Sequence, residues 1–187
     1  MTILKKLVVS FAASMLPIAA AAATIGGTEY APQYDYREFF NAADGKPFRV
    51  VLAGTPFPGV SPDAVAATLL AQMQAAKPPP RLTFTYDTPA ERPRPDYRMV
   101  LVFDAAGDYG APSACAGVTP RVRPPTPGRL YMFAVYCRND LALSQTTAWT
   151  NATGPDDHRI GELFRELFPV IFSDAMGLRP QTGGNMR

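Results

Sequence analysis

The chain holds little of the material from which common active sites are built: one histidine and two cysteines in 187 residues. His158 alone cannot furnish a multi-histidine metal centre, and its neighbours Asp156 and Asp157 stand at no dedicated ligand spacing. The two cysteines, Cys115 and Cys137, do not form the short Cys-x-x-Cys unit on which redox and zinc motifs depend. No Gly-x-Ser-x-Gly elbow supplies a hydrolase nucleophile, and no Gly-Lys-Ser/Thr follows a turn to hold a phosphate. No catalytic residue, metal or cofactor is therefore assigned from the sequence.

Net charge is scarce as well, once the first segment is set apart. Lys5 and Lys6 precede an apolar run from Leu7 to Ala20, which gives way to Ala21, Ala22 and Ala23; these are the three parts of a secretory signal peptide over residues 1–23. Pro17 interrupts the run, and its roughly 17 apolar or small residues fall short of the roughly 20 that a membrane span wants. Cleavage is expected after Ala23, leaving no transmembrane anchor and no cysteine at the new terminus to take a lipid. Losing Lys5 and Lys6 takes the formal charge from +2 to zero, so no nucleic-acid partner is expected from bulk attraction.

Export places Cys115 and Cys137 where disulfides persist, and the pair is expected to be bonded. Closing a loop of that length should stabilise the fold by roughly 3 kcal/mol.

About 164 residues remain after cleavage, enough for one domain with a real core. Residues 24–45 read as an aromatic N-terminal arm, 46–176 as a single α/β domain and 177–187 as a loose tail. Leu82 to Asp87 alternates as a half-buried strand does, with Leu82, Phe84 and Tyr86 inward. Phe48 to Gly54, Tyr97 to Asp104 and Leu130 to Cys137 are apolar at nearly every position, which predicts strands covered on both faces.

Two helices are clear. Ser61 is an N-cap, Pro62 suits the first turn, Val60 and Val65 can staple the start, and Val65, Leu69, Met73 and Ala76 form the core stripe before Lys77 and three prolines end it. Ile160, Leu163, Phe164, Leu167, Phe168 and Ile171 make one face of the second, with Pro169 on the polar side as a bend and Gly177 as its close. The strand, first helix and strand at Leu82 form a βαβ unit whose strands should be parallel if they share a sheet. Asn139 and Asp140 predict a hairpin turn. Cys137 then lies at the far end of the sheet from the loop that holds Cys115, so that loop should run back against the sheet and be stapled there, its Pro120 to Pro127 half extended and stiff.

The predicted architecture is α/β (α+β): a two-layer sandwich with a mixed sheet of about five strands and two main helices, in the order β-α-β-β-β-β-α with one disulfide. Over residues 46–176 this order is similar in outline to small periplasmic domains that assist outer-membrane assembly and transport, an analogy of architecture only.

Candidate sites are few. Tyr30, Tyr34, Tyr36 and Phe39 are candidate partner-binding residues if the arm faces solvent, for a protein or a glycan. The alternative, favoured because doubly apolar strands need a cover, is a short helix over residues 35–43, closed by Asp44 and Gly45, with its rings on the sheet. Gly54, Thr55, Gly59 and Ser61 are a candidate anion or ligand loop, since they join a strand to a helix N-terminus, although two prolines remove amides from it. Arg92, Arg94, Arg98, Arg121, Arg123 and Arg129 could meet as a basic patch, with solvated loop charge as the plainer reading.

The leading functional expectation is a periplasmic or secreted, non-enzymatic accessory protein that binds an envelope component, protein or glycan. The alternative is a small-ligand-binding domain or hydrolase that uses the Gly54 to Ser61 loop or His158.

Overall fold

The computed structural model describes residues 23–90, 93 and 95–175. The expected leader up to Ala22, the arginines Arg92 and Arg94, the closing Gly177 and the tail beyond it lie outside the described residues.

Strand β3 (Pro47–Ala53), helix α2 (Pro62–Ala76) and strand β4 (Thr83–Thr85) form the βαβ unit, and β3 and β4 are parallel with Phe48 opposite Phe84. Ser61 caps α2 by accepting from the Ala64 N–H at 3.3 Å, and Val65, Leu69, Met73 and Ala76 are its buried residues. Strand β5 (Tyr97–Phe103) lies parallel on the other side of β3, then β6 (Arg129–Arg138) and β7 (Leu141–Asn151) follow antiparallel. Asn139, at φ 52°, makes the turn between them. Among the described residues the sheet is mixed and seven-stranded: β1 (Thr24–Ile25) and β2 (Glu29–Tyr30) both pair with β7, and the order runs β1-β7-β6-β5-β3-β4.

Seven strands replace the five expected because the N-terminal arm contributes β1 and β2, both antiparallel to β7. Two-residue strands are too short to show a period of two in a sequence. The arm then forms α1 (Tyr36–Ala43), capped by Asp35 and left through Gly45 at φ 68°. A third short helix, α3 (Ala111–Cys115), lies in the loop that the sequence predicts to run back along the sheet.

Helices α1, α2 and α4 (His158–Ile171) cover one face of the sheet. The six predicted residues of α4 are all fully buried, each worth roughly 2 kcal/mol of gross hydrophobic transfer. Phe39 forms the centre of an aromatic cluster, stacked on Phe172 at 4.1 Å and edge-on to Phe48 and Tyr136. On the other face α3 packs over Val100, Val102 and Val135, and the Cys115–Cys137 disulfide fixes it there.

Helix α4 stops at Ile171, short of Gly177. Pro169 lies inside the helix and supplies no N–H, and Phe172 leaves the helical conformation to stack in the core. Side chains satisfy carbonyls at the helix end and just beyond it: the Tyr30 hydroxyl donates to Val170, that of Ser144 to Ile171 and that of Tyr34 to Ser173. Such partners complete a helix end that would otherwise leave buried acceptors unmet.

A candidate binding surface at one end of the sheet

The C-terminal ends of β3 and β5, the start of β6 and the end of β7 converge at one end of the sheet. This is the edge beside which ligands bind in open α/β sheets. Gly54 leaves β3 at φ 92°, and a Cβ there would lie 2.7 Å from the Phe103 carbonyl oxygen, so glycine is required both by conformation and by contact. The following loop folds Phe57 into the core. Ser61 caps α2, and Val65 N–H bonds its carbonyl. With Pro62 lacking a donor, only the Asp63 amide of that first turn stays open, beside its own carboxylate.

Across the end of β5 the Pro-rich segment runs back. Asp104, at φ 49°, donates its N–H to the Tyr131 carbonyl and accepts from the Arg123 N–H at 2.7 Å, while Ala105 and Val122 form a bridge. Gly128, at φ 73°, returns the chain into β6. Alternation then decides the rest. Leu130, Met132 and Ala134 are in the main core, so Tyr131 shares the opposite face with Phe133 and Val135; register puts Trp149 across from Tyr131.

Two arginines complete the surface. The Arg123 guanidinium lies 5.2 Å from the Tyr131 ring centre, and the Arg129 guanidinium 5.9 Å from the same ring and 4.2 Å from that of Trp149. Cation–π contacts of this kind hold a flat cation in place. Among the described residues neither guanidinium has a carboxylate at ion-pair distance, and the buried Arg129 Nε has no hydrogen-bond partner. Asp104 feels both: burial pushes its carboxyl above the usual range, against the pull of Arg123 and Arg129. A cleft of about 210 Å³ adjoins Arg129, walled by Pro56, Phe57, Pro58, Pro125 and Pro127.

The predicted sites fall as follows. Cys115 and Cys137 are joined in the disulfide. Phe39 has no accessible surface, so it is a core residue and not a contact residue. Tyr30 and Tyr34 are half-buried, their hydroxyls on Val170 in α4 and on Ser173 just beyond it, and their ionisation is pushed up by burial; Tyr36 rests against Phe39 and Phe40. Gly54, Thr55, Gly59 and Ser61 lie in the loop whose prolines wall the cleft. His158 is exposed, while Asp157 caps α4 and grips Arg159 at 2.6 Å, which with two backbone N–H groups holds its carboxyl far below the usual range. No cluster of three metal-ligating side chains occurs among the described residues.

Of the six arginines, Arg98 corrects the basic-patch expectation. It is buried on β5, with Arg49 sharing the Asp96 carboxylate at 2.7 and 2.9 Å. Arg121 pairs with Asp108. Of the four that are described, Arg123 and Arg129 belong to this surface. Tyr131 and Trp149 were not among the sequence candidates, yet the alternation in Gln145 to Asn151 places the one tryptophan on the open face.

The fold defines a class: a two-layer α/β domain with a mixed sheet and one stapled loop. No family model matches the chain, and no curated protein matches it. Among solved structures it is similar to the PelC dodecamer from Paraburkholderia phytofirmans, at 11% identity over 80% of this chain and 97% of that one, TM-score 0.39. A PelC variant from the same organism, also a dodecamer, gives 12% identity over the same shares and TM-score 0.38.

Proposed function

We propose that this chain is an exported, non-enzymatic binding module that engages another component of the cell envelope through the end of the sheet carrying Arg123, Tyr131, Arg129 and Trp149. The leader pattern and the disulfide support export. In the described residues no helix is long and apolar enough to cross a membrane. The observation that carries the binding role is the alternation of ring and guanidinium on the open face, with no carboxylate at ion-pair distance from either arginine among the described residues. Trp, Tyr and Arg dominate the energetics of recognition surfaces, because they offer large contact area and strong directed hydrogen bonds at little entropic cost.

A photo-crosslinker at position 149 tests this reading in cells. An envelope component should be captured there, and not from position 40 on the opposite face. Capture should fall sharply in Arg123→Gln and Arg129→Gln variants. A species that keeps its leader, stays in the cytosol with two free thiols and crosslinks to nothing from position 149 would sink the proposal.

A further inference from the structure

The chemistry of the occupant can be narrowed, on the reading that this surface binds a partner. We propose that the partner is a polypeptide segment with an apolar side chain beside a carboxylate: the apolar group enters the proline-walled cleft and the carboxylate meets Arg129 and Arg123. Three observations converge on it. The cleft is walled by Pro56, Phe57, Pro58, Pro125 and Pro127, and its volume of about 210 Å³ suits one apolar side chain. Anchors of that kind, one side chain seated in a desolvated pocket, carry most of the affinity in protein recognition.

Arg129 itself lines this cleft, and its buried Nε has no partner among the described residues. A guanidinium presents its donors as a rigid fork that matches a carboxylate, and an unmet buried donor is costly until one arrives. The rings of Tyr131 and Trp149 hold the fork in place, so little side-chain freedom is lost on binding.

The same stacking disfavours a saccharide. Sugars dock on open aromatic faces, and here the guanidinium of Arg129 lies over Trp149 at 4.2 Å. Val122, 46% exposed on the neighbouring segment, extends the apolar rim in a way that suits a protein and not a glycan.

The experiment uses the mature protein with capped synthetic peptides centred on Glu-Leu-Glu, Glu-Ala-Glu and Gln-Leu-Gln, and an oligogalacturonate as the acidic glycan. Fluorescence of Trp149, the one tryptophan, and amide shifts of Thr126, Gly128 and Arg129 report on the site. Glu-Leu-Glu should bind, and loss of either the leucine or the acids should weaken it at least tenfold. Arg123→Gln, at an exposed position, should weaken binding to the same degree while the amide spectrum away from the site keeps its folded dispersion. Arg129→Lys, which keeps the charge but not the fork, should also weaken it. Equal binding of the Gln-Leu-Gln peptide, an equal response to oligogalacturonate, or no response at millimolar peptide overturns this inference. Capture of a glycan from position 149 in cells would do so too while leaving the envelope-binding reading in place.

Discussion

The side chain of Gln74 acts as a strand beside Phe84: its Oε1 accepts from the Phe84 N–H at 2.8 Å and its Nε2 donates to the Leu82 carbonyl at 3.2 Å. Strand β4 is the last in the sheet, and its outward backbone groups would otherwise offer a template to another chain. The Gln74 amide on α2 covers that edge, with the Lys77 ammonium also donating to the Leu82 carbonyl at 3.4 Å. Replacement of Gln74 by alanine should cost about 1 kcal/mol for the lost hydrogen bonds and should promote association through the bared strand. Urea denaturation and light scattering against concentration check both. A Gln74→Ala protein as stable and as monodisperse as wild type would show that the edge is protected by other means.

Two carboxylates should make opposite contributions to stability against pH. Asp157 is held below the usual range by the Arg159 side chain and by the Arg159 and Thr153 amides, so its stabilisation is complete above the unfolded value of about 3.9 and is lost as pH falls toward the folded one. Asp104 is raised by burial, so its charge costs stability at neutral pH and the cost is relieved as pH falls through its folded value. Asp104→Asn should therefore melt higher than wild type at pH 7, with the gain closing toward pH 4. Asp157→Asn should melt lower at pH 7, with the deficit closing only in strong acid. Thermal melts across that range give the signs directly.

Cys115→Ser paired with Cys137→Ser should destabilise the fold by about 3 kcal/mol in the loop-entropy account. Hydrogen exchange should show where the loss falls. Amides of Ala114 and Cys115 in α3 should open first, with the Ala105–Val122 bridge close behind, because the staple holds both against the sheet. Met99 and Leu101 in the centre of the sheet should keep their protection. Uniform loss across the molecule would contradict the local role assigned to the bond.

Gly54→Ala should cost more than 1 kcal/mol, because the new Cβ meets the Phe103 carbonyl and the backbone has a positive φ. The walls of the proline cleft should shift with it, so the Trp149 signal should change in the same variant. Gly59→Ala, with a positive φ but open space around the added atom, should be milder. Equal effects would mean that conformation alone, and not the contact, sets the cost.

Long periodic elements were readable from residues alone. The stripe of α2, the face of α4, the parallel pair β3 and β4 and the turn at Asn139 follow from local chemistry repeated over many positions. Features that depend on distant partners were not. Strands β1 and β2 exist because β7 offers an edge, and α3 because the disulfide brings its segment back to the sheet. The Arg123 contact needs the route of the Pro-rich segment, which sequence spacing does not encode. Trp149 was within reach: Thr146, Ala148 and Thr150 are buried, and Gln145, Thr147 and Trp149 alternate with them.

Tyr30 and Tyr34, near the beginning of the described residues, close on carbonyls of Val170 and Ser173 near their end. A polypeptide released N-terminus first has no acceptor for those hydroxyls until α4 has emerged. Strands β1 and β2 likewise have nothing to pair with before β7 is out. Until then the early segment stays unlatched, and the last turn of α4 sets the moment at which the structure can shut.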